Sequence, residues 1–245
     1  MDKMHYDNDL LKGYWDTLQT NYYLSEKQLK LFQTYLKLLL EWNNKFNLTA
    51  ITNPIDIIHY HFEDSLALSR FIDISKLTMI ADVGSGAGFP GLPLKILFPH
   101  LNVVLIEVNN KKRSFLSHVC SILELQSITL YEYDWRTFLR MTQYPIDLFC
   151  SRASLQPDEL IRIFKPSCPY QESIVVYWAS EQWVPKKQES PFIEKEISYT
   201  LDGRGRKFIF FNKKKFEKSL GELMKINFED SHHKLHLRIL TLQNF

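Results

Sequence analysis

Three glycines at every second position, Gly84, Gly86 and Gly88, follow Asp82 in the stretch MIADVGSGAGFPGLPLKIL. Glycine clears side chains away so that backbone N–H groups can approach a partner, and it permits backbone angles that other residues resist. Such a loop can hold a ligand; the plain alternative is a tight strand-to-helix turn that binds nothing. Its surroundings favour the ligand. Leu77 to Val83 reads as a buried strand and Leu92 to Phe98 as a helix, and a second strand, NVVLIE, ends in Glu107. An acid about 20 residues beyond a glycine loop, at the tip of the next parallel strand, can accept both ribose hydroxyls of a nucleoside.

Spacing narrows the nucleoside. Dinucleotide folds use G-x-G-x-x-G, so that a helix N-terminus faces a pyrophosphate. This chain reads D-x-G-x-G-x-G, with the third glycine one place early. That spacing resembles the S-adenosylmethionine loop of the Rossmann-like methyltransferases, whose ligand carries no phosphate. A nucleotide-dependent oxidoreductase using NAD is the alternative from another class.

The elements that must position this loop alternate along the chain. Strands are expected near 78–83, 102–107 and 127–131, with helices at 91–98 and 111–124 between them. PIDLFC gives a fourth strand leading to SRAS, DELIRIF a helix, and SIVVYW a fifth strand. That alternation predicts an α/β fold with a doubly wound, mostly parallel sheet. ISYTLDGRGRKFIFF adds two strands joined through Asp202 and Gly203. Residues 1 to about 70 read as helical, with Ser25 as an N-cap before an apolar repeat and Pro54 opening a further helix. The expected organisation is a helical cap over 1–70, a ligand-binding domain over 71–215 and an extension over 216–245. In that extension FEKSLGELMKI reads as a short helix and HKLHLRIL as a half-buried strand.

At 245 residues, 45% hydrophobic and 24% charged, the chain has ordinary globular composition. No apolar run approaches the roughly 18–20 residues that span a bilayer, and MDKMHYDND lacks the basic start and apolar stretch of a signal peptide. A cytoplasmic protein is expected. Cys120, Cys150 and Cys168 are odd in number, far apart and not in C-x-x-C pairs, which argues against a disulfide framework or a zinc site. His232, His233 and His236 have no acids or cysteines at ligand spacing, so no metal is expected. Net charge is only +2. Local charge says more: RGRKFIFFNKKKFEK, Arg204 to Lys218, interleaves seven basic residues and one acid with aromatics. KKR stands at 111–113. Solvated surface and a groove for a polyanion are both open readings of these stretches.

Taken together, EWNNKFNLTAI (41–51), HFEDSLAL (61–68), DVGSGAGFPGLPL (82–94), KKRSFL (111–116), SRA (151–153) and LDGRGRKFIFF (201–211) resemble one family. It is the bacterial methyltransferases of guanine N7 in small-subunit (16S) ribosomal RNA, also called glucose-inhibited division protein B. The resemblance covers roughly residues 28–215. It implies a Rossmann-like class I methyltransferase with an N-terminal helical cap, S-adenosylmethionine as cofactor, and ribosomal RNA or the small ribosomal subunit as partner, with the enzyme a monomer. By the resemblance, Gly84, Gly86, Gly88 and Phe89 contact the cofactor, Glu107 takes its ribose, and Trp135 and Arg136 flank the adenine. Arg152 faces the shared cofactor and substrate cleft as the catalytic candidate. Asn47, Thr49, His61, Asp64 and Ser65 line the cap over that cleft, and Lys111, Lys112, Arg206 and Lys213 meet the substrate. The plainer reading of the polar cap residues is helix capping, with His61 and Asp64 satisfying each other.

The chain departs from the family pattern at two places. Asp134-Trp135-Arg136 stands where a basic residue, a small residue and an acid are usual, and Trp178-Ala179 replaces a Lys-Gly. Two basic groups are thereby lost from the cleft, which leaves open a diverged member that binds RNA and cofactor with an altered target or weak turnover. Guanine N7 has a free lone pair and needs no base, which fits a cleft without a catalytic triad. Cys150, in an apolar run, is expected in the core rather than as a nucleophile.

Overall fold

The computed structural model describes residues 8–213. Asn8–Tyr22 (α1) and Glu26–Phe46 (α2) open the chain. Ser25 caps α2 through a reciprocal bond with Gln28, and Asn47 closes it in the left-handed conformation. Pro54–Ile57 (α3) starts at Pro54, with the Asn53 side chain accepting from the Ile55 and Asp56 amides. The helix then widens into a π-helical segment, Ile58–Glu63, before Asp64–Leu66 (α4) and a 3₁₀ turn. The sequence predicted the helix from Pro54 but not its change of pitch.

Beyond the cap come Met79–Val83 (β1), Gly91–Leu97 (α5), Asn102–Ile106 (β2), Asn110–Ile122 (α6), Ile128–Tyr131 (β3) and Trp135–Met141 (α7). Leu148–Arg152 (β4), Pro157–Leu160 (α8), Ile174–Ser180 (β5), Ile193–Leu201 (β6) and Arg204–Phe211 (β7) complete the described chain. The helix expected from DELIRIF tightens after one turn into 3₁₀, Ile161–Phe164. The sheet order is β3-β2-β1-β4-β5-β7-β6. Its first five strands are parallel and β7 runs antiparallel to both neighbours. The doubly wound, mostly parallel fold is therefore as expected. Strand order reverses between β1 and β4, and open α/β sheets bind ligands at the carboxyl ends of strands flanking such a point.

Alternate residues of each strand point to opposite faces. Ile80, Val103, Leu105, Leu148 and Cys150 pack with the cap and α5, while Ala81, Val104, Ile106 and Phe149 pack with α7. Cap and sheet thus share one apolar cluster. At the β6–β7 turn Asp202 and Gly203 both have positive φ, 46° and 73°, the pair of angles that a two-residue hairpin matched to strand twist requires. FEKSLGELMKI, HKLHLRIL and the histidines at 232, 233 and 236 lie outside the described residues.

Candidate functional site

A cleft of about 670 Å³ opens where β1, β2 and β4 end beneath the cap. The glycine loop forms its floor, Glu107 and Trp135 one side, Thr49, Tyr60, His61 and Asp64 its roof, and Arg204 and Arg206 its far rim.

The three glycines serve three different contacts. All have positive φ. A Cβ on Gly84 would lie 2.3 Å from the Ser154 side chain, and one on Gly88 would strike the Tyr35 hydroxyl and Leu92. A Cβ on Gly86 would meet nothing nearer than a backbone oxygen at 3.9 Å. Only at Gly86, therefore, does the missing side chain leave room in the cleft. Tyr35 explains the crowding at Gly88: its hydroxyl donates to the Ala87 carbonyl, and its ring stacks on Phe89. Glu107 accepts from the Gly86 amide at 2.9 Å and from the Asn109 amide at 2.8 Å. A carboxylate has about four lone-pair sites, so two remain for a ligand. Asp82, buried under the loop, accepts from the Gly91 amide at 2.8 Å. Burial pushes its carboxyl up to about 7, against the opposing pull of the Gly91 amide and Arg152.

The roof is organised by Asp64, which is 1% exposed. Its carboxylate accepts from the Tyr199 hydroxyl at 2.6 Å, from Arg206 Nη2 at 2.8 Å and from Arg152 Nη1 at 3.2 Å. The Trp178 indole donates to the Asp64 carbonyl at 2.9 Å. Two guanidiniums around one carboxylate leave this cluster with one net positive charge. Arg152 donates further to the Tyr60 carbonyl at 2.7 Å and to His61 Nδ1 at 2.9 Å, and it sits over the Phe89 ring at 5.1 Å. The His61 ring stacks on Phe89 from the roof, with centroids 4.4 Å apart. His61 and Asp64 therefore do not satisfy each other, because Arg152 bonds both. Burial, with the Arg152 charge adding to it, holds His61 well below the ordinary imidazole pKa.

Across the mouth, the Tyr60 hydroxyl donates to Asp202 at 2.8 Å and Arg204 lies over the Tyr60 ring at 4.2 Å. The β6–β7 turn is thereby pinned to the cap.

Of the residues expected at the site, the structure brings Gly84, Gly86, Phe89, Glu107, Trp135, Arg152, Thr49, His61, Asp64, Lys112 and Arg206 to the cleft. Others lie elsewhere for visible reasons. Asn47 is the exposed left-handed cap of α2, and the polar contact to Thr49 comes instead from Asn43, which bonds both its amide and its carbonyl. Ser65 is fully buried and donates to the His61 carbonyl within its own helical turn. Gly88 faces Tyr35 and Leu92. Arg136 is exposed and forms a two-pronged pair with Glu159. Lys111 rides over Phe46 at 5.9 Å, and Lys213 bonds Gln171 at 2.7 Å. Tyr60, Trp178, Tyr199 and Arg204 escaped sequence reasoning as site residues. Trp178 drew notice only as a departure from the family pattern, and Arg204 only as the first residue of the basic stretch 204–218. All three cysteines are free, and Cys150 is fully buried as expected. Among the described residues no helix is long and apolar enough to cross a membrane, and no cluster of three metal-ligating side chains occurs.

The chain is similar to several known proteins. "Ribosomal RNA small subunit methyltransferase G" of Bacillus pumilus (strain SAFR-032) is 47% identical over 115 residues, 47% of this chain and 48% of that protein. The protein of the same description from Staphylococcus aureus (strain Newman) is 47% identical over 118 residues, 48% of this chain and 49% of that one. In these alignments the chain spans about half the length of the curated relatives it matches. Among solved structures, M. capricolum TrmK in complex with S-adenosyl-homocysteine aligns with 62% of this chain and 67% of its own, at 16% identity and a TM-score of 0.47. The model of one family, GidB, described as rRNA small subunit methyltransferase G, matches residues 28–220, and the chain belongs to that family.

Proposed function

We propose that this chain transfers a methyl group from S-adenosylmethionine to N7 of a guanine in small-subunit ribosomal RNA. The observation that carries this reading is the open space over Gly86, closed on one side by Glu107, in a chain of the GidB family.

The residues present fit the cofactor. The loop leaves a side-chain-free floor at Gly86, Glu107 keeps unused lone pairs for ribose hydroxyls, and Trp135 and Phe89 supply apolar walls. When bound, S-adenosylmethionine supplies an electrophilic methyl on a sulfonium. The chain's own contribution is position and charge. Holding nucleophile and electrophile in line at near-attack distance is worth roughly 7–11 kcal/mol, and N7 offers its lone pair without a base. The product purine gains positive charge, so a bare cation beside it would oppose the reaction. Asp64 offsets that cost by taking up Arg152 and Arg206 together. Three of the five N–H donors of Arg152 are committed to Tyr60, Asp64 and His61. Its role in this reading is to set the roof in place.

The test is direct. Small ribosomal subunits and naked RNA from cells lacking this gene are incubated with the protein and labelled cofactor, and the methylated base is mapped. A single guanine modified at N7 is the expected product. Label on a carbon or an exocyclic amine would refute the N7 chemistry, and cofactor binding without transfer would mark a diverged binder.

A further inference from the structure

A guanidinium has donors and no acceptor, and it stays charged at any ordinary pH. Arg152 Nη2 lies 2.9 Å from His61 Nδ1. Nδ1 must therefore offer its lone pair, which puts the ring proton on Nε2. Nε2 lies 2.8 Å from Thr49 Oγ1 and donates to it. The same oxygen accepts from the Ile51 amide at 3.1 Å. A hydroxyl has two acceptor lone pairs and one proton. Both lone pairs of Thr49 are taken, and no acceptor among the described residues receives its proton. Asn43 fixes the backbone of Thr49 on both sides, through its amide and its carbonyl, so the side chain has a rigid base. Thr49 borders the cleft. What it offers an incoming molecule is one hydrogen-bond donor of fixed polarity.

Purines differ in what they present to such a group. Beside N7, guanine carries the acceptor O6, whereas adenine carries a donor amine. Resting on the methyl-transfer reading above, we infer that Thr49 selects guanine by donating to O6. His61 and Arg152 stand behind it as positioning residues that set the direction of the bond. An adenine in the same place would bring donor against donor, and the cost of an unmet buried group is what gives such sites their discrimination.

RNA with guanine or with 2-aminopurine at the mapped position is prepared both naked and reconstituted into small subunits; 2-aminopurine keeps N7 and lacks O6. Transfer is measured with the wild type, Thr49→Ser and Thr49→Val. The wild type is expected to favour guanine by about tenfold or more in kcat/KM. Thr49→Ser keeps that ratio, while Thr49→Val brings guanine down to the level of 2-aminopurine. General damage from the valine lowers both substrates alike and leaves the ratio unchanged. A wild-type ratio in Thr49→Val therefore overturns the inference while the methyl-transfer reading stands. A wild type that methylates neither RNA overturns the reading, and the inference falls with it.

Discussion

Asp64 accepts from Tyr199, Arg152 and Arg206 while only 1% exposed, so an uncharged side chain there leaves two guanidiniums without their counter-ion. Breaking a buried pair by removing one partner costs about 3–5 kcal/mol. Because Arg206 keeps 28% of its side chain in water, Asp64→Asn should fall near the lower end, as read by urea unfolding. The glycines give a second residue-scale prediction. Gly84→Ala should destabilise the fold, because its Cβ would sit 2.3 Å from Ser154. Gly86→Asn should fold, since Asn tolerates the left-handed region, yet block the cleft floor and abolish calorimetric binding of S-adenosylmethionine. Equal affinities for Gly86→Asn and wild type would remove the loop from the cofactor site. The sequence showed which three positions were glycine but not where each absent Cβ would point, because Ser154 and Tyr35 lie far along the chain from them. His61 supplies a pH prediction. Its folded pKa is lowered and the unfolded value is near 6.5, so the unfolded chain binds the extra proton first. The contribution is complete above about pH 6.5 and is lost as pH falls below it. His61→Gln should therefore show a shallower acid loss of stability than wild type in paired melts at pH 5 and 7.

At the scale of elements, α2 is held at its start by two side chains of unequal reach. Ser25 caps it, and Ser25→Ala should cost about 1 kcal/mol. Gln28 completes that cap and also donates to the Ile96 and Leu97 carbonyls at the end of α5, at 2.9 and 3.0 Å. Gln28→Ala should cost more than Ser25→Ala in the same melt, because it loosens the cap from the sheet as well as fraying the helix. The Ser25 N-cap, Pro54 and the Asp-Gly hairpin turn were all legible in the sequence, since each is decided by residues within a few positions. The π-helical segment was not. Its residues carry no local signal for the wider pitch, and the bonds that use it, from Arg152 to the Tyr60 carbonyl and to His61, come from about 90 residues away. Asn47 stands as the left-handed cap of α2 rather than on the cleft lining for the related reason that a short polar side chain suits either place.

For the molecule as a whole, a net charge of +2 leaves the RNA binding of the proposed function to local cations. Lys207 and Lys213 already have partners in Glu196 and Glu172. Lys112 and Arg204 stand on the cleft border, so the double variant Lys112→Ser, Arg204→Ser should weaken RNA binding. The salt slope should flatten by about 0.7 for each phosphate that is no longer neutralised, while cofactor affinity holds. An unchanged slope would return both residues to plain solvated surface. The doubly wound, mostly parallel character of the sheet was legible because alternating strands and helices leave few topologies, whereas the strand order was not read, and the charge partners of the cleft are set by pairings across the fold. Those pairings also carry a temporal consequence. The partners of Asp64 lie 88, 114, 135 and 142 residues further along, and the bond from Tyr60 to Asp202 spans 142. On a ribosome the helices that carry Asp64 emerge before β6 and β7, and the carboxylate stays wet until that hairpin leaves the exit tunnel. Early contacts in the cap are local and quick, but closure of the mouth is long-range and slow. A nascent chain stalled before Arg206 would hold most of its sheet and no finished cleft, so the cleft should take a ligand only after the β6–β7 hairpin has been made.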